Sequence, residues 1–139
     1  MIKTIDMRDM RHLNLFEKIT NVRTRFCFEY NENIMFCVPK FKLTQALGRN
    51  GENLRRISEI LKKRIRIVVC PRSIEDARRF IESIISPASF KEIVVNEQEI
   101  VISAGSVQNK ATLFGRHKKR YLEMKRIVND FFDREYRVA

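Results

Sequence analysis

Two short glycine-led turns, Gly48-Arg49-Asn50-Gly51 and Gly115-Arg116-His117-Lys118, lie 67 residues apart in a chain of 139. Aligning them aligns the apolar residues behind them. Leu54 falls on Tyr121, Ile57 on Met124, Ile60 on Ile127 and Leu61 on Val128. Matched positions without a gap are the mark of an internal duplication. The chain is therefore expected to fold as two copies of one small unit, residues 1–71 and 72–139, joined at Pro71-Arg72. With no long flexible linker between them, the copies are expected to touch and act as one rigid body.

Each copy reads as helix, strand, strand, helix, glycine turn, helix, strand. Residues 6–19 place Met7, Met10, Leu13, Leu15, Phe16 and Ile19 at apolar positions of a helix, and His12 among charged neighbours reads as a surface residue. Residues 23–30 and 34–38 read as a hairpin around Asn31-Glu32-Asn33. With Glu32 at its centre, Phe26 faces Val38, Phe28 faces Phe36 and Tyr30 faces Ile34, which aligns one apolar face. Cys27 and Cys37 then become cross-strand neighbours on the other face. Pro39 stops the second strand, Phe41–Leu47 is a short helix, and Glu52 opens a helix running to about Lys63. Residues 64–70 form a third strand, which Pro71 stops. In the second copy Ser73 caps a helix that runs to Ile85. A hairpin turns around Asn96, a short helix ends in Leu113-Phe114, a longer helix follows Gly115, and Arg134–Val138 is a strand. The expected class is α+β, with α-β-β-α-α-β in each copy and a three-stranded sheet carrying helices on one face.

Net charge is +11, and its placement is informative. Residues 40–66 carry +7 and residues 116–126 carry +5, so the rest of the chain is near −1. Cations gathered on two helices favour a polyanionic partner. No apolar run approaches the roughly 18 residues of a membrane span, and the N-terminus lacks the apolar core of a signal peptide, so a cytoplasmic protein with no membrane partner is expected. Cys27, Cys37 and Cys70 form no C-x-x-C pair, which excludes a zinc site of the usual spacing, and reduced thiols are expected. No P-loop is present, and no Ser/His/Asp or Cys/His constellation is visible in the sequence. An enzyme is not expected, nor a cofactor.

The turns carry the chemistry. Gly48 can end the short helix in a left-handed conformation, and Gly51 leaves the start of the next helix bare. Free amides there, with the positive end of the helix dipole, suit a phosphate. Arg49 and Asn50 would contact phosphate oxygens, Arg55 and Arg56 would reach further along a backbone, and Asn53 joins the candidate contacts. Leu43, Ala46, Leu47, Ile57 and the Ile65–Val69 strand would line a groove for bases. In the second turn Lys118 stands where the last glycine would be, so that backbone is expected to be less open. Arg116, His117, Lys118, Lys119 and Arg120 nevertheless gather at a helix N-terminus, where the dipole disfavours each cation by roughly 0.3–1 kcal/mol. An anionic ligand would offset that cost. Gly115 completes the candidate set.

The element order, twice in succession, and the phrase GRNGENLRRI (Gly48–Ile57) resemble the paired type II KH domains of the NusA family of transcription elongation and termination factors. The second motif, GRHKKRYLEMKRIV, is similar but lacks the last glycine. The likeness covers essentially the whole chain and is to the short, archaeal type. It implies two tandem type II KH domains and a non-catalytic factor in transcription elongation, termination or antitermination. The RNA backbone would be gripped at the GxxG turns, as a G-x-x-G loop clamps about four nucleotides. The implied partner is single-stranded RNA, either a nascent transcript or ribosomal RNA, with RNA polymerase or other transcription factors as further partners of a monomer. Ribosomal RNA binding in ribosome assembly and a protein-interaction scaffold are the alternatives.

Overall fold

The computed structural model describes residues 7–139, so the expected helix start at Asp6 lies outside the described residues. Two compact units divide the chain, the first ending at Cys70 and the second running from Pro71 to Ala139. The architecture is α+β, with six α-helices and two three-stranded mixed sheets among the described residues.

In the first unit α1 (Met7–Thr20) precedes β1 (Cys27–Tyr30) and β2 (Asn33–Val38). Asn21 ends α1 by entering the left-handed region at φ 59°, and its amide donates to the Glu17 carbonyl at 2.9 Å. The buried Thr20 hydroxyl donates back to the Phe16 carbonyl at 2.7 Å and accepts from the Val22 amide at 3.0 Å, so the chain leaves the helix without an orphaned polar group. A single 3-10 turn at Lys40–Lys42 leads into α2 (Leu43–Leu47). The glycine turn, α3 (Glu52–Leu61) and β3 (Arg64–Val69) complete the unit. β2 lies between its neighbours, antiparallel to β1 and parallel to β3, with Ile34 opposite Ile65 and Phe36 opposite Ile67. A parallel pair needs a crossover, and α2–turn–α3 supplies it.

The hairpin register differs from the expected one by one residue. Cys27 pairs with Phe36, Phe28 with Met35, Glu29 with Ile34 and Tyr30 with Asn33. The loop is two residues, Asn31 and Glu32, both left-handed at φ 51° and 64°. A two-residue turn of that hand matches the twist of paired strands. The slip exchanges faces. Cys27, Ile34, Phe36 and Val38 join the core with Phe16, Val22, Ala46, Ile57 and Ile65, and the Phe16 and Phe36 rings stack at 4.4 Å. Cys27 and Cys37 therefore point to opposite faces, and Cys37 is instead beside Cys70. A hydrogen bond from the Cys37 side chain holds the Cys70 thiol below its ordinary pKa, against burial, which raises it. All three cysteines are unbridged. Met35 and Cys37 are as buried as Phe36, so β2 is apolar and covered on both faces.

The second unit repeats the plan with α4 (Ala77–Ile85), β4 (Glu92–Val95), β5 (Glu99–Ser103), α5 (Val107–Phe114), α6 (Lys119–Phe132) and β6 (Glu135–Val138). β5 is central, antiparallel to β4 and parallel to β6. Local chemistry sets its boundaries. Ser73 accepts from the Glu75 amide ahead of α4, and Ser106 accepts from the Asn109 amide to cap α5. The Asn96 carboxamide accepts from the Gln98 and Glu99 amides at 2.8 Å each, closing the hairpin. Phe80, Ile81, Ile84, Ile100, Ile102, Leu113, Met124, Ile127 and Val128 are buried in this unit.

Candidate nucleic-acid interface

The two turns share one backbone. Gly48 lies at φ 76°, ψ 177° and Gly115 at φ 74°, ψ 176°. Asn50 and His117 follow at φ 55°, ψ 31° and φ 56°, ψ 29°. Gly51 and Lys118 sit at φ 71°, ψ 21° and φ 61°, ψ 22°. Lys118 therefore does not close the second turn; it takes up the same left-handed conformation with a side chain attached. That strain costs a non-glycine residue about 1–2 kcal/mol. Lys118→Gly is expected to stabilise the protein by about 0.5–1 kcal/mol, read as a raised urea midpoint, once the greater freedom of glycine in the unfolded chain is counted.

The leading glycines are required twice over. Their positive φ with extended ψ is a region left almost entirely to glycine, not the left-handed helical end expected from the sequence. A Cβ on Gly48 would lie 2.8 Å from Cγ and Nδ2 of Asn53, and one on Gly115 would lie 2.7 Å from Cγ of Arg120. Asn53 and Arg120 occupy matching places and do matching work. Asn53 Nδ2 donates to the Gln45 carbonyl at 3.2 Å, and Arg120 Nη1 donates to the Thr112 carbonyl at 3.4 Å. Both candidate contacts are thus turned inward, bracing the second helix against the carbonyl end of the first. Arg55 arches back as well, its Nη1 donating to the Asn50 carbonyl at 2.6 Å. Leu122 holds the corresponding place in the second unit, and its apolar side chain cannot reproduce that bond.

Two of the amides at the start of the second helix are used within the turn. The Gly51 amide donates to the Gly48 carbonyl at 3.2 Å, and the Glu52 amide donates to the Arg49 carbonyl. On the turn itself, the amides of Arg49 and Asn50 donate to no acceptor among the described residues. Successive amides at a turn of this hand form a concavity suited to an anion. Gly51 keeps the approach open, because a Cβ there would meet only Arg55 Nη1, at 3.9 Å. In the second turn the Lys118 amide is likewise used, donating to the Gly115 carbonyl at 3.2 Å.

Both turns, with the helices behind them, carry exposed basic residues. Arg49, Arg56, Arg116, His117, Lys118 and Lys119 are exposed. Among the described residues, none of Arg49, Arg56, Arg116, Lys118 and Lys119 takes part in an ion pair. Self-repulsion is left for a ligand to relieve.

The expected groove is partly core, with Arg66, Ile67 and Val69 half-buried. Ala46 and Ile57 are fully buried, Ile65 and Val68 nearly so, and Leu43 and Leu47 are half-buried. What lies open on these elements is Phe41, 82 % exposed, with Lys42 Nζ 5.7 Å from its ring centre, and Ile60, 55 % exposed. The sequence places Phe41 at the start of a short helix, and nothing in its spacing marks the ring as exposed. In fact Phe41 sits in the 3-10 turn ahead of α2.

These features define a class: two α+β units, each presenting an exposed cationic helix–turn–helix whose first turn residue must be glycine. Comparison gives that class a more particular relative. The chain is similar over nearly its whole length to archaeal NusA-like proteins. A protein of Halococcus morrhuae named probable transcription termination protein NusA is 23 % identical over 132 residues, which cover 94 % of this chain and 93 % of that one. The protein of the same name from Thermoplasma acidophilum is 25 % identical over 134 residues, covering 94 % and 90 %. That of Methanocaldococcus jannaschii is 29 % identical over 87 residues, covering 63 % of this chain and 46 % of its own. No family model matches the chain. The crystal structure of a protein designated APE1850 superposes with a TM-score of 0.67 at 23 % identity, covering 96 % of this chain and 99 % of that one, which bears on the fold alone.

Proposed function

We propose that the chain is a non-catalytic, cytoplasmic single-stranded RNA-binding factor acting in transcription elongation or termination, built from two tandem type II KH domains. The observation that carries this reading is the repeated turn, with the Arg49 and Asn50 amides unbonded and exposed, unpaired cations on the turn and the helix behind it. The relatives named for transcription termination support the process. In this reading a phosphate oxygen sits on the Arg49 and Asn50 amides. Gly48 and Gly51 admit the backbone, and Arg49, Arg56 and the free part of the Arg55 guanidinium neutralise neighbouring phosphates. Asn53 and Arg120 position the turns. Gly115, Arg116, His117, Lys118 and Lys119 offer a second grip of the same kind. Exposed Phe41 offers a face on which a base can stack.

Backbone contacts of this kind give affinity rather than sequence choice. Binding to a short single-stranded RNA should therefore weaken steeply with salt. About three to six phosphate contacts predict a log–log slope of roughly −2 to −4. Fluorescence anisotropy between low and moderate salt measures it, and a slope near zero would remove the polyanion from the argument. Crosslinking in cells separates the settings. Nascent transcripts among the bound RNA support transcription, whereas ribosomal RNA alone would move the protein to ribosome assembly.

A further inference from the structure

Away from the turns, the structure gathers three residues that sequence spacing did not connect. Asp9 and His12 lie one helical turn apart on the same face of α1, and Cys27 opens β1. A carboxylate oxygen, an imidazole nitrogen and the sulfur all lie within 4.8 Å of one another. The Cys27 thiol sits 3.8 Å from both the backbone oxygen and Oδ1 of Asp9. His12 is half-buried here, not the surface residue its charged neighbours suggested.

We propose that Asp9, His12 and Cys27 bind one borderline-soft divalent ion of the zinc type, with water in the fourth position. The donor set carries the chemistry. Thiolate sulfur, imidazole nitrogen and carboxylate oxygen together suit Zn²⁺, at about 2.3, 2.0 and 2.0–2.2 Å. A single carboxylate cannot supply the six to eight oxygens that calcium takes. Small rotamer changes at Asp9 and His12 would bring the three atoms from their present spacing onto one centre. Both residues are half-buried, so an ion can enter past them, whereas Cys27 at 2 % exposure leaves no room for a substrate to reach its sulfur. The same burial argues against reading the trio as a nucleophile with its base. On binding, the Cys27 thiol releases its proton to solvent, the sulfur–metal bond forms and the ion sheds coordinated waters. The ion would tie α1 to β1 at the end of the hairpin remote from the Asn31–Glu32 turn.

Cobalt reports the site directly. Full-length protein freed of metal by chelator should, with one equivalent of Co²⁺, develop a thiolate-to-metal charge-transfer band and tetrahedral visible bands. One equivalent of Zn²⁺ should abolish both and raise the melting temperature. Asp9→Asn and His12→Gln lie on the half-buried helix face and should fold. Each should weaken binding by at least the ~10–100-fold that loss of even an outer partner brings. Cys27→Ser should remove the charge-transfer band, while Cys37→Ser and Cys70→Ser leave it unchanged. Absence of a thiolate band, wild-type affinity in His12→Gln, or a band that survives Cys27→Ser would overturn the proposal.

Discussion

The double change Arg49→Asp and Asn50→Asp is expected to cut affinity for single-stranded RNA on the order of 100-fold, because charge-assisted hydrogen bonds worth ~1.5–3 kcal/mol each are replaced by repulsion. The folded state should hardly notice. Arg49 is exposed and in no ion pair among the described residues, and position 50 lies in a left-handed conformation that aspartate tolerates nearly as well as asparagine. Stability should remain within about 0.5 kcal/mol of the parent, as for other surface changes. The salt slope should become shallower by about one for each phosphate that the variant no longer neutralises. Anisotropy titrations with a urea melt on the same sample separate binding from folding. Unchanged affinity in a folded double variant would mean that the first turn does not hold the strand.

The second large effect distinguishes two glycines that look equivalent in the motif. Gly48→Ala should destabilise the protein by about 2–4 kcal/mol, from a backbone region nearly closed to other residues together with displacement of Asn53 from the Gln45 carbonyl. The collision is with the Asn53 carboxamide at 2.8 Å and its backbone nitrogen at 3.1 Å, and the latter cannot swing away. Gly51→Ala should stay within about 1 kcal/mol, since left-handed strain is partly offset by the stiffer unfolded chain. A methyl group there meets only the Arg55 guanidinium, at an ordinary contact distance of 3.9 Å, so its consequence should appear in RNA affinity instead. Urea denaturation of the two variants, side by side, tests the distinction. Equal losses would mean that the inward brace is not what Gly48 protects.

Much of this architecture could be read from local signals. Helical stripes behind each glycine marked α3 and α6, Pro39 and Pro71 ended strands, and Ser73 announced α4. The hairpin register could not be read, and the reason is physical. Alternation fixes a register only when one face is polar, and β2 runs Ile34-Met35-Phe36-Cys37-Val38 with every residue buried. Turn length then decides, and nothing in Asn31-Glu32-Asn33 announces two loop residues instead of three. The candidate site was legible as a location but not as a mechanism. Glycine spacing found the turns. Which amides remain free depends on 3-10 bonds made by Gly51 and Glu52, and those follow from the dihedral angles. Asn53 and Arg120 looked like contacts because polar residues beside a phosphate site usually are. Only the folded chain reveals that their donors face a helix end. The trio on α1 and β1 was hidden because its members join through a packing of helix on strand that no motif spacing encodes.

The coincidence of dihedral angles at Gly51 and Lys118 separates shape from grip. One frame accommodates either a bare position or a cationic one, so the two halves can drift apart in affinity without drifting in form. A duplicated scaffold of this sort permits a division of labour, with one copy optimised for close approach and the other for long-range attraction. Neither half need surrender the geometry that presents the strand.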